Sequence, residues 1–237
     1  MEKTRNRIVV QKKQGNHWRF HFILGIVFGL TVGSVRSHAA TLVSNLSESV
    51  FGSQTVFSAQ WIATAFTTGS NAGGYSLESI AAKFALATGT PSNFSMLLAQ
   101  EDSGNPGATI ETLTGSQPTT GGNKTFTSTG TNLDADTKYW VILSSTDSAP
   151  DTFHARTTTV DNQTSSDGWV IGNTGRKSTD SGVSWSNLSG GLTGFLRVNA
   201  TPVPEPHEYA LLMGLSLVSL AIVRLSNSRN DSKSHGS

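Results

Sequence analysis

Histidine and cysteine, the side chains that most often perform nucleophilic and proton-transfer chemistry, are scarce in this sequence. The 237 residues include no cysteine and six histidines. Thiol catalysis, cysteine zinc sites and disulfides are therefore excluded. A Ser-His-Asp triad between residues 40 and 201 would require His154, and no G-x-S-x-G sequence is present to supply its serine. We expect no catalytic residue and no cofactor, and we expect His154 on the exposed face of a strand.

Carboxylates are the next candidates for chemistry. Glu101-Asp102 and the pair Asp134 and Asp136 fall in predicted turns, where Asp accepts hydrogen bonds from its own backbone. A polysaccharide hydrolase would need two carboxyl groups facing each other in space, which spacing along the chain does not test. Asp134 and Asp136 are also candidate calcium ligands, but no D-x-D-x-D-G loop surrounds them. No metal site is predicted.

Aromatic rings offer a binding chemistry, because their flat faces stack on sugars. The candidate ligand-binding residues are Trp61, Trp140, Trp169 and Trp185. The alternative is that they are core residues, since large rings bury much apolar surface. A carbohydrate-binding module requires at least two of them exposed on one face.

One spacing is more specific. Residues Ser178 to Trp185 match the S-x-D-x-G-x-x-W pattern of the Asp-box, a turn found in sialidase-like propellers. Asp180 is expected to accept hydrogen bonds from the turn, Gly182 to adopt unusual backbone angles, and Trp185 to cover the hairpin. Propellers carry several copies of the motif and this chain has one, so we interpret it as a structural hairpin.

The elements that position these residues are predicted to be strands. Residues 40–201 are rich in Ser, Thr and Gly, and short apolar runs alternate with turn residues, a pattern typical of an all-β, jelly-roll-like β-sandwich. In the run Ser79–Ala87, we expect Ile80, Ala82, Phe84 and Leu86 to face the core and Lys83 to face water. The predicted strands are Thr41–Leu46, Trp61–Thr67, Ser79–Ala87, Ser95–Gln100, Thr109–Leu113, Lys124–Ser128, Tyr139–Ser144, Phe153–Thr159, Gly168–Ile171 and Gly194–Ala200.

The first 39 residues have the order of a secretory signal peptide. A basic segment precedes the uncharged apolar run Phe22–Val35, and small residues follow at Ser37 and Ala39. This order predicts a signal helix that signal peptidase cleaves after Ala39. An uncleaved N-terminal membrane anchor is the alternative.

The C-terminal end predicts a second membrane segment. Residues 202–206 form a Pro-rich linker, residues 207–225 a transmembrane helix around the apolar run Tyr209–Val223, and residues 226–237 a basic cytoplasmic tail. Between residues 40 and 201, acidic residues outnumber basic ones. This charge balance argues against a nucleic-acid partner.

Two resemblances give these segments a context. Val203-Pro204-Glu205-Pro206, the apolar run and Arg224 resemble the PEP-CTERM sorting signal. The resemblance implies processing by an exosortase and delivery from the inner membrane to the cell surface or extracellular matrix of a Gram-negative-type bacterium, with exopolysaccharide as a partner. His207-Glu208 replaces the small hydroxyl residues common after that motif.

Residues 40–201 resemble the choice-of-anchor R domain, a family without an established biochemical activity. The matching stretches are Ile62–Gly69, Asn105–Gly107, Leu133–Leu143 and Gly182–Trp185. Together the resemblances predict an exported, non-enzymatic surface or matrix protein. A carbohydrate-binding module and a polysaccharide hydrolase remain the alternatives.

Overall fold

The computed structural model describes residues 40–159, 163–205, 210, 213–222 and 224. The chain forms two compact units, of which one is Ser37–Pro206 and the other combines Met1–Arg36 with His207–Ser237. Residues 210, 213–222 and 224 of the second unit are helical. Among the described residues, none of the helical segments is both long and apolar enough to span a membrane. The predicted signal peptide (1–39) and basic tail (226–237) lie outside the described residues.

Short strands separated by turns make up the described part of Ser37–Pro206, which is an all-β structure. The strands are β1 (Ala40–Ser44), β2 (Gly52–Val56), β3 (Trp61–Thr67), β4 (Tyr75–Phe84), β5 (Phe94–Asp102), β6 (Asn105–Gly115), β7 (Gly122–Thr127), β8 (Asn132–Leu133), β9 (Lys138–Ser145), β10 (Phe153–Thr158), β11 (Thr164–Ser165), β12 (Val170–Ile171), β13 (Arg176–Ser178), β14 (Ser186–Asn187), β15 (Thr193–Gly194) and β16 (Leu196–Pro202).

Antiparallel pairing divides the strands into two groups. The first group has the order β11-β1-β16-β4-β7, with β10, β2 and β15 attached through β4 and β8 also paired to β4. The second group has the order β6-β5-β9-β3-β13-β14, with β12 also paired to β3. Strand β6 pairs with β5 along most of its length and with β7 at Thr114 and Gly115. This strand therefore connects the two groups.

One apolar core contains residues from both groups. Phe84 of β4 packs edge-on against Phe94 of β5, with ring centroids 5.4 Å apart. Phe94 in turn contacts Phe153 of β10 at 5.2 Å. Strand β9, which carries apolar residues on both faces, is buried along nearly its whole length, as the sequence predicts for a central strand.

The alternation predicted for Ser79–Ala87 is correct in part. Ile80, Ala82 and Phe84 are buried in the core. Leu86 is 70% exposed, because β4 ends at Phe84 and the alternation ends with it. Lys83 does not extend into water: its ammonium donates to the Leu46 carbonyl and lies 4.3 Å from the centre of the Phe195 ring. The outer face of β4 is thus covered at this position.

Candidate functional site

Trp169 is a core residue. Its side chain is fully buried, stacks on Phe66 at 5.8 Å and meets Tyr75 edge-on at 4.9 Å. A ring enclosed in this way has no face to present to a sugar. The prediction of Trp169 as a ligand-binding residue is therefore wrong.

Trp140 lies on the opposite face of the second group of strands. The residues packed together there are Ala63, Ala65, Ala99, Trp140 and Ile142, with Trp61, Leu97 and Trp185 partly buried against them; we call this set the outer cluster. Strands β3, β5 and β9 alternate core-facing and outward-facing residues, so each contributes to both the main core and the outer cluster. The outer cluster brings three of the four candidate tryptophans together.

Cations cover the ring of Trp140. The Lys138 ammonium lies 4.8 Å and the Arg176 guanidinium 5.8 Å from the ring centre, a favourable arrangement with the ring's electron-rich face. Trp140 is 1% exposed. A sugar cannot reach this ring, so Trp140 is also not a stacking residue, contrary to the sequence-based prediction.

Glu101 connects these side chains. Its carboxylate accepts hydrogen bonds from Trp140 Nε1 at 2.6 Å and from the Gly104 amide, and it pairs with Lys138 at 3.1 Å. Burial by itself would raise the pKa of Glu101, but the bonds from Trp140, Lys138 and Gly104 outweigh it and hold the pKa below its usual range. A general acid needs the opposite shift. In this structure the Glu101 carboxylate is a hydrogen-bond acceptor for Trp140, Gly104 and Lys138.

The Asp-box hairpin between β13 and β14 forms as predicted. Asp180 accepts hydrogen bonds from the Ser184 amide at 2.9 Å, the Ser184 hydroxyl at 2.6 Å and the Ser178 hydroxyl at 2.7 Å. These bonds, led by the one from the Ser184 hydroxyl, lower the pKa of Asp180 to about 2. Gly182 has a φ of +86°, and Trp185 packs against the outer cluster.

Trp61 and Trp185 are the candidate tryptophans that keep some exposure. Both are partly buried against the outer cluster. Gly182 lies beside the Trp61 ring, and a Cβ added to it would collide with that ring. Val183 at the tip of the hairpin is 84% exposed. The candidate tryptophans with accessible ring surface are therefore Trp61 of β3 and Trp185 of the hairpin.

The calcium candidates lie in the turn between β8 and β9. Asp134 and Asp136 are exposed, and Asp136 has a φ of +49°. Thr68 holds this turn by donating its hydroxyl to the Asp134 carbonyl at 2.6 Å. Within the described ranges, no group of three or more histidine and carboxylate side chains is placed to hold a metal ion. The turn is explained by its backbone contacts.

His154 lies on β10 and is partly buried, not fully exposed. Its Nε2 is 2.9 Å from the Thr88 hydroxyl and 3.5 Å from the Thr152 hydroxyl. These contacts pair the imidazole with two threonines. They do not form the serine and aspartate arrangement that a triad needs.

Val203 and Glu205 of the predicted sorting signal are hydrogen-bonded to the strand domain. Pro202, predicted to begin a linker, is the last residue of β16 and pairs with Tyr75. The Val203 amide then donates to the Gly74 carbonyl at 3.0 Å, and the Val203 carbonyl accepts from Asn71 Nδ2 at 3.0 Å. The observed strand therefore extends into the predicted linker.

The turn formed by residues Asn71–Gly74 also contacts Glu205, the glutamate of the Pro-Glu-Pro motif. The Ala72 amide donates to Glu205 Oε1 at 3.3 Å, and Glu205 is half-buried while Pro204 is exposed. We call residues Asn71–Gly74 the dock. Arg224 is helical, and Pro206 lies outside the described residues.

Sequence reasoning did not identify the dock as a functional element. The run Asn71-Ala72-Gly73-Gly74 predicts a turn, which is correct, since the Gly74 amide donates to the Asn71 carbonyl at 2.8 Å. The dock binds a segment that is 132 residues away in the sequence. Local residue patterns hold no signal for that partner.

Comparison with known proteins does not assign this chain to a family. No protein-family model matches the chain, and no curated protein is significantly similar to it.

Proposed function

We propose that this chain is an exported, non-enzymatic protein of the cell surface or extracellular matrix, sorted by an exosortase through a C-terminal PEP-CTERM signal. One observation carries the proposal: the compact unit that holds the strands runs to Pro206, the last residue of the Pro-Glu-Pro motif. A sorting signal is expected at such a boundary, where a folded domain meets the segment that anchors it. Because Val203–Pro206 and Arg224 resemble the PEP-CTERM signal, we interpret the segment at this boundary as that signal.

The fold is proposed to be a jelly-roll-like β-sandwich of the choice-of-anchor R type. In this arrangement the two groups of strands pack face to face over one core. The aromatic contacts between β4 and β5 support it, as does the membership of both groups in one buried cluster. The proposed role is structural, and the support for it is that Glu101, Asp180 and His154 have structural hydrogen-bond partners.

Glu205→Ala tests the sorting role. In the native host, the wild-type chain is expected to be converted to a shorter form and released from the inner membrane. The Glu205→Ala chain is expected to stay full-length in the membrane fraction, as followed by immunoblotting of fractionated cells. Glu208→Ala removes a nearby glutamate outside the motif and is the matched control. Equal conversion of all three chains contradicts the proposal.

The partial exposure of Trp61 and Trp185 favours a second candidate, binding of exopolysaccharide at the outer cluster. Under this candidate, Trp185→Ala weakens binding of the full chain to polysaccharide from the native host by tenfold or more. Val183→Ala alters an exposed residue of the same hairpin and is expected to bind normally. Unchanged binding in Trp185→Ala, measured by co-sedimentation, contradicts this candidate.

A further inference from the structure

The dock forms hydrogen bonds with the backbone of Val203 as well as with the carboxylate of Glu205. Both backbone groups of Val203 are already hydrogen-bonded, the amide to Gly74 and the carbonyl to Asn71 Nδ2. Asn71 is itself held in place. Its backbone amide donates to the Tyr75 hydroxyl, and its side-chain Nδ2 also donates to the Gly74 carbonyl. The contact therefore extends the pairing of β16 with β4 beyond the end of the strand.

Glu205 is the one charged residue in Val203–Pro206. Its carboxylate accepts the Ala72 amide, and hydrogen bonds to a charged group are stronger than those between neutral groups. The fit at the dock is close, because a Cβ on Gly73 would collide with the Val203 carbonyl oxygen. The domain thus holds the backbone of Val203 and the carboxylate of Glu205.

We propose that the dock is a gate for the sorting signal, so that residues Val203–Glu205 must leave Asn71–Gly74 before an enzyme processes the chain. This inference rests on the proposed sorting function. An enzyme that takes an extended peptide uses the peptide's backbone amides and carbonyls for affinity. Those of Val203 are occupied while the segment is docked, and so is the carboxylate of Glu205. The rate of processing is therefore proportional to the fraction of time that the segment spends undocked.

Docking is measured by hydrogen exchange on the full chain, purified in a mild detergent. Proline has no amide hydrogen, so Val203 and Glu205 carry the amide hydrogens between Pro202 and Pro206. Asn71→Ala removes the side-chain bonds to Val203 and Gly74, and Gly73→Ala introduces the collision. Each is expected to speed exchange at Val203 about tenfold. Asn123→Ala and Gly121→Ala, at exposed positions near the start of β7, are the matched controls and are expected to exchange like wild type.

Processing is measured in the native host by pulse-chase labelling of the same chains. The gate predicts that Asn71→Ala and Gly73→Ala are converted to the short form faster than wild type, in proportion to their faster exchange. Unchanged or slower conversion of chains that exchange faster overturns the gate. Fast exchange at Val203 in the wild type also overturns it, because the segment is then not held.

The two proposals fail in different ways. If the wild-type chain is never converted, the sorting function is wrong and the gate is wrong with it. If the wild-type chain is converted and the dock variants are converted at the same rate, only the gate is wrong. The exchange measurement reports docking in either case, because it requires no enzyme.

Discussion

Asp180 begins the turn between β13 and β14, where Ser184 and Ser178 donate hydrogen bonds to its carboxylate. These bonds lower the pKa of Asp180 from 3.8 to about 2 in the folded protein. A carboxyl group whose pKa is lower when folded contributes stability above its unfolded pKa, and that contribution is lost as the pH falls through the folded pKa. The contribution of Asp180 is therefore present above pH 3.8 and is lost toward pH 2.

Asp180→Asn tests this linkage. Near neutral pH the variant is expected to have a lower free energy of unfolding than the wild type. The difference is expected to shrink as the pH falls from 3.8 to about 2, because the wild-type carboxylate then takes up a proton. Urea unfolding followed by tryptophan fluorescence measures it. A difference that is independent of pH contradicts the assignment.

At the scale of the element, the Asp-box hairpin is stabilised by its fit to the outer cluster as well as by its own turn. Gly182 has a φ of +86°, and a Cβ added there would lie only 2.6 Å from the Trp61 ring. The left-handed backbone costs an L-residue about 1–2 kcal/mol. The contact with Trp61 adds a steric cost that the turn alone does not have.

Gly182→Ala and Gly168→Ala separate the two costs. Gly168 has a similar φ of +82° but open space where a Cβ would lie, so Gly168→Ala is expected to lose about 1–2 kcal/mol of unfolding free energy. Gly182→Ala is expected to lose more, because the Trp61 ring must move. Equal losses in urea unfolding experiments would show that the hairpin does not press on Trp61.

For the whole molecule, the two groups of strands share one core and are expected to unfold together. Phe84 of the first group contacts Phe94 of the second. The tryptophans of the strand domain, Trp61, Trp140, Trp169 and Trp185, lie in or beside strands of the second group. Their fluorescence therefore reports on the second group, whereas far-ultraviolet circular dichroism reports on both.

Phe84→Ala tests this cooperativity. The substitution is expected to destabilise the protein by about 3–5 kcal/mol, because it leaves a cavity in a close-packed core. Fluorescence and circular dichroism are expected to give the same, lowered midpoint. Leu86→Ala, at a 70% exposed position nearby, is expected to change stability by less than about 0.5 kcal/mol. A shift in dichroism without a shift in fluorescence contradicts a shared core.

Local residue patterns determined much of the secondary structure. The predicted bounds of Trp61–Thr67 agree with β3, and those of Phe153–Thr159 lie within one residue of β10. The Asp-box hairpin was also predictable, because its hydrogen bonds join residues within a few positions of each other. Strand β2 and strand β13 were missed, since their sequences GSQTV and RKS lack apolar alternation. The partners β10 and β3 stabilise them as strands.

Burial and partnership were decided by tertiary structure. The predicted strand Thr109–Leu113 is shorter than β6, which begins at Asn105 because Asn105 and Pro106 pair with Asp102 and Glu101. Trp140 and Trp185 were candidates of the same kind, yet the ring of Trp140 is enclosed and that of Trp185 is only partly buried. Trp140 is covered in part by Arg176, which is held by the Gly104 carbonyl 72 residues away in the sequence.

The Pro-Glu-Pro motif also separates what the sequence determines from what the tertiary structure determines. The sequence by itself determined that a proline-rich segment with one carboxylate precedes an apolar run. Only the tertiary structure decided that Val203 and Glu205 are bound to Asn71 and Ala72. Antiparallel strands join distant parts of a chain, so a sheet places β16 beside β4 and its C-terminal extension beside the turn before β4. No pattern within either segment encodes that contact.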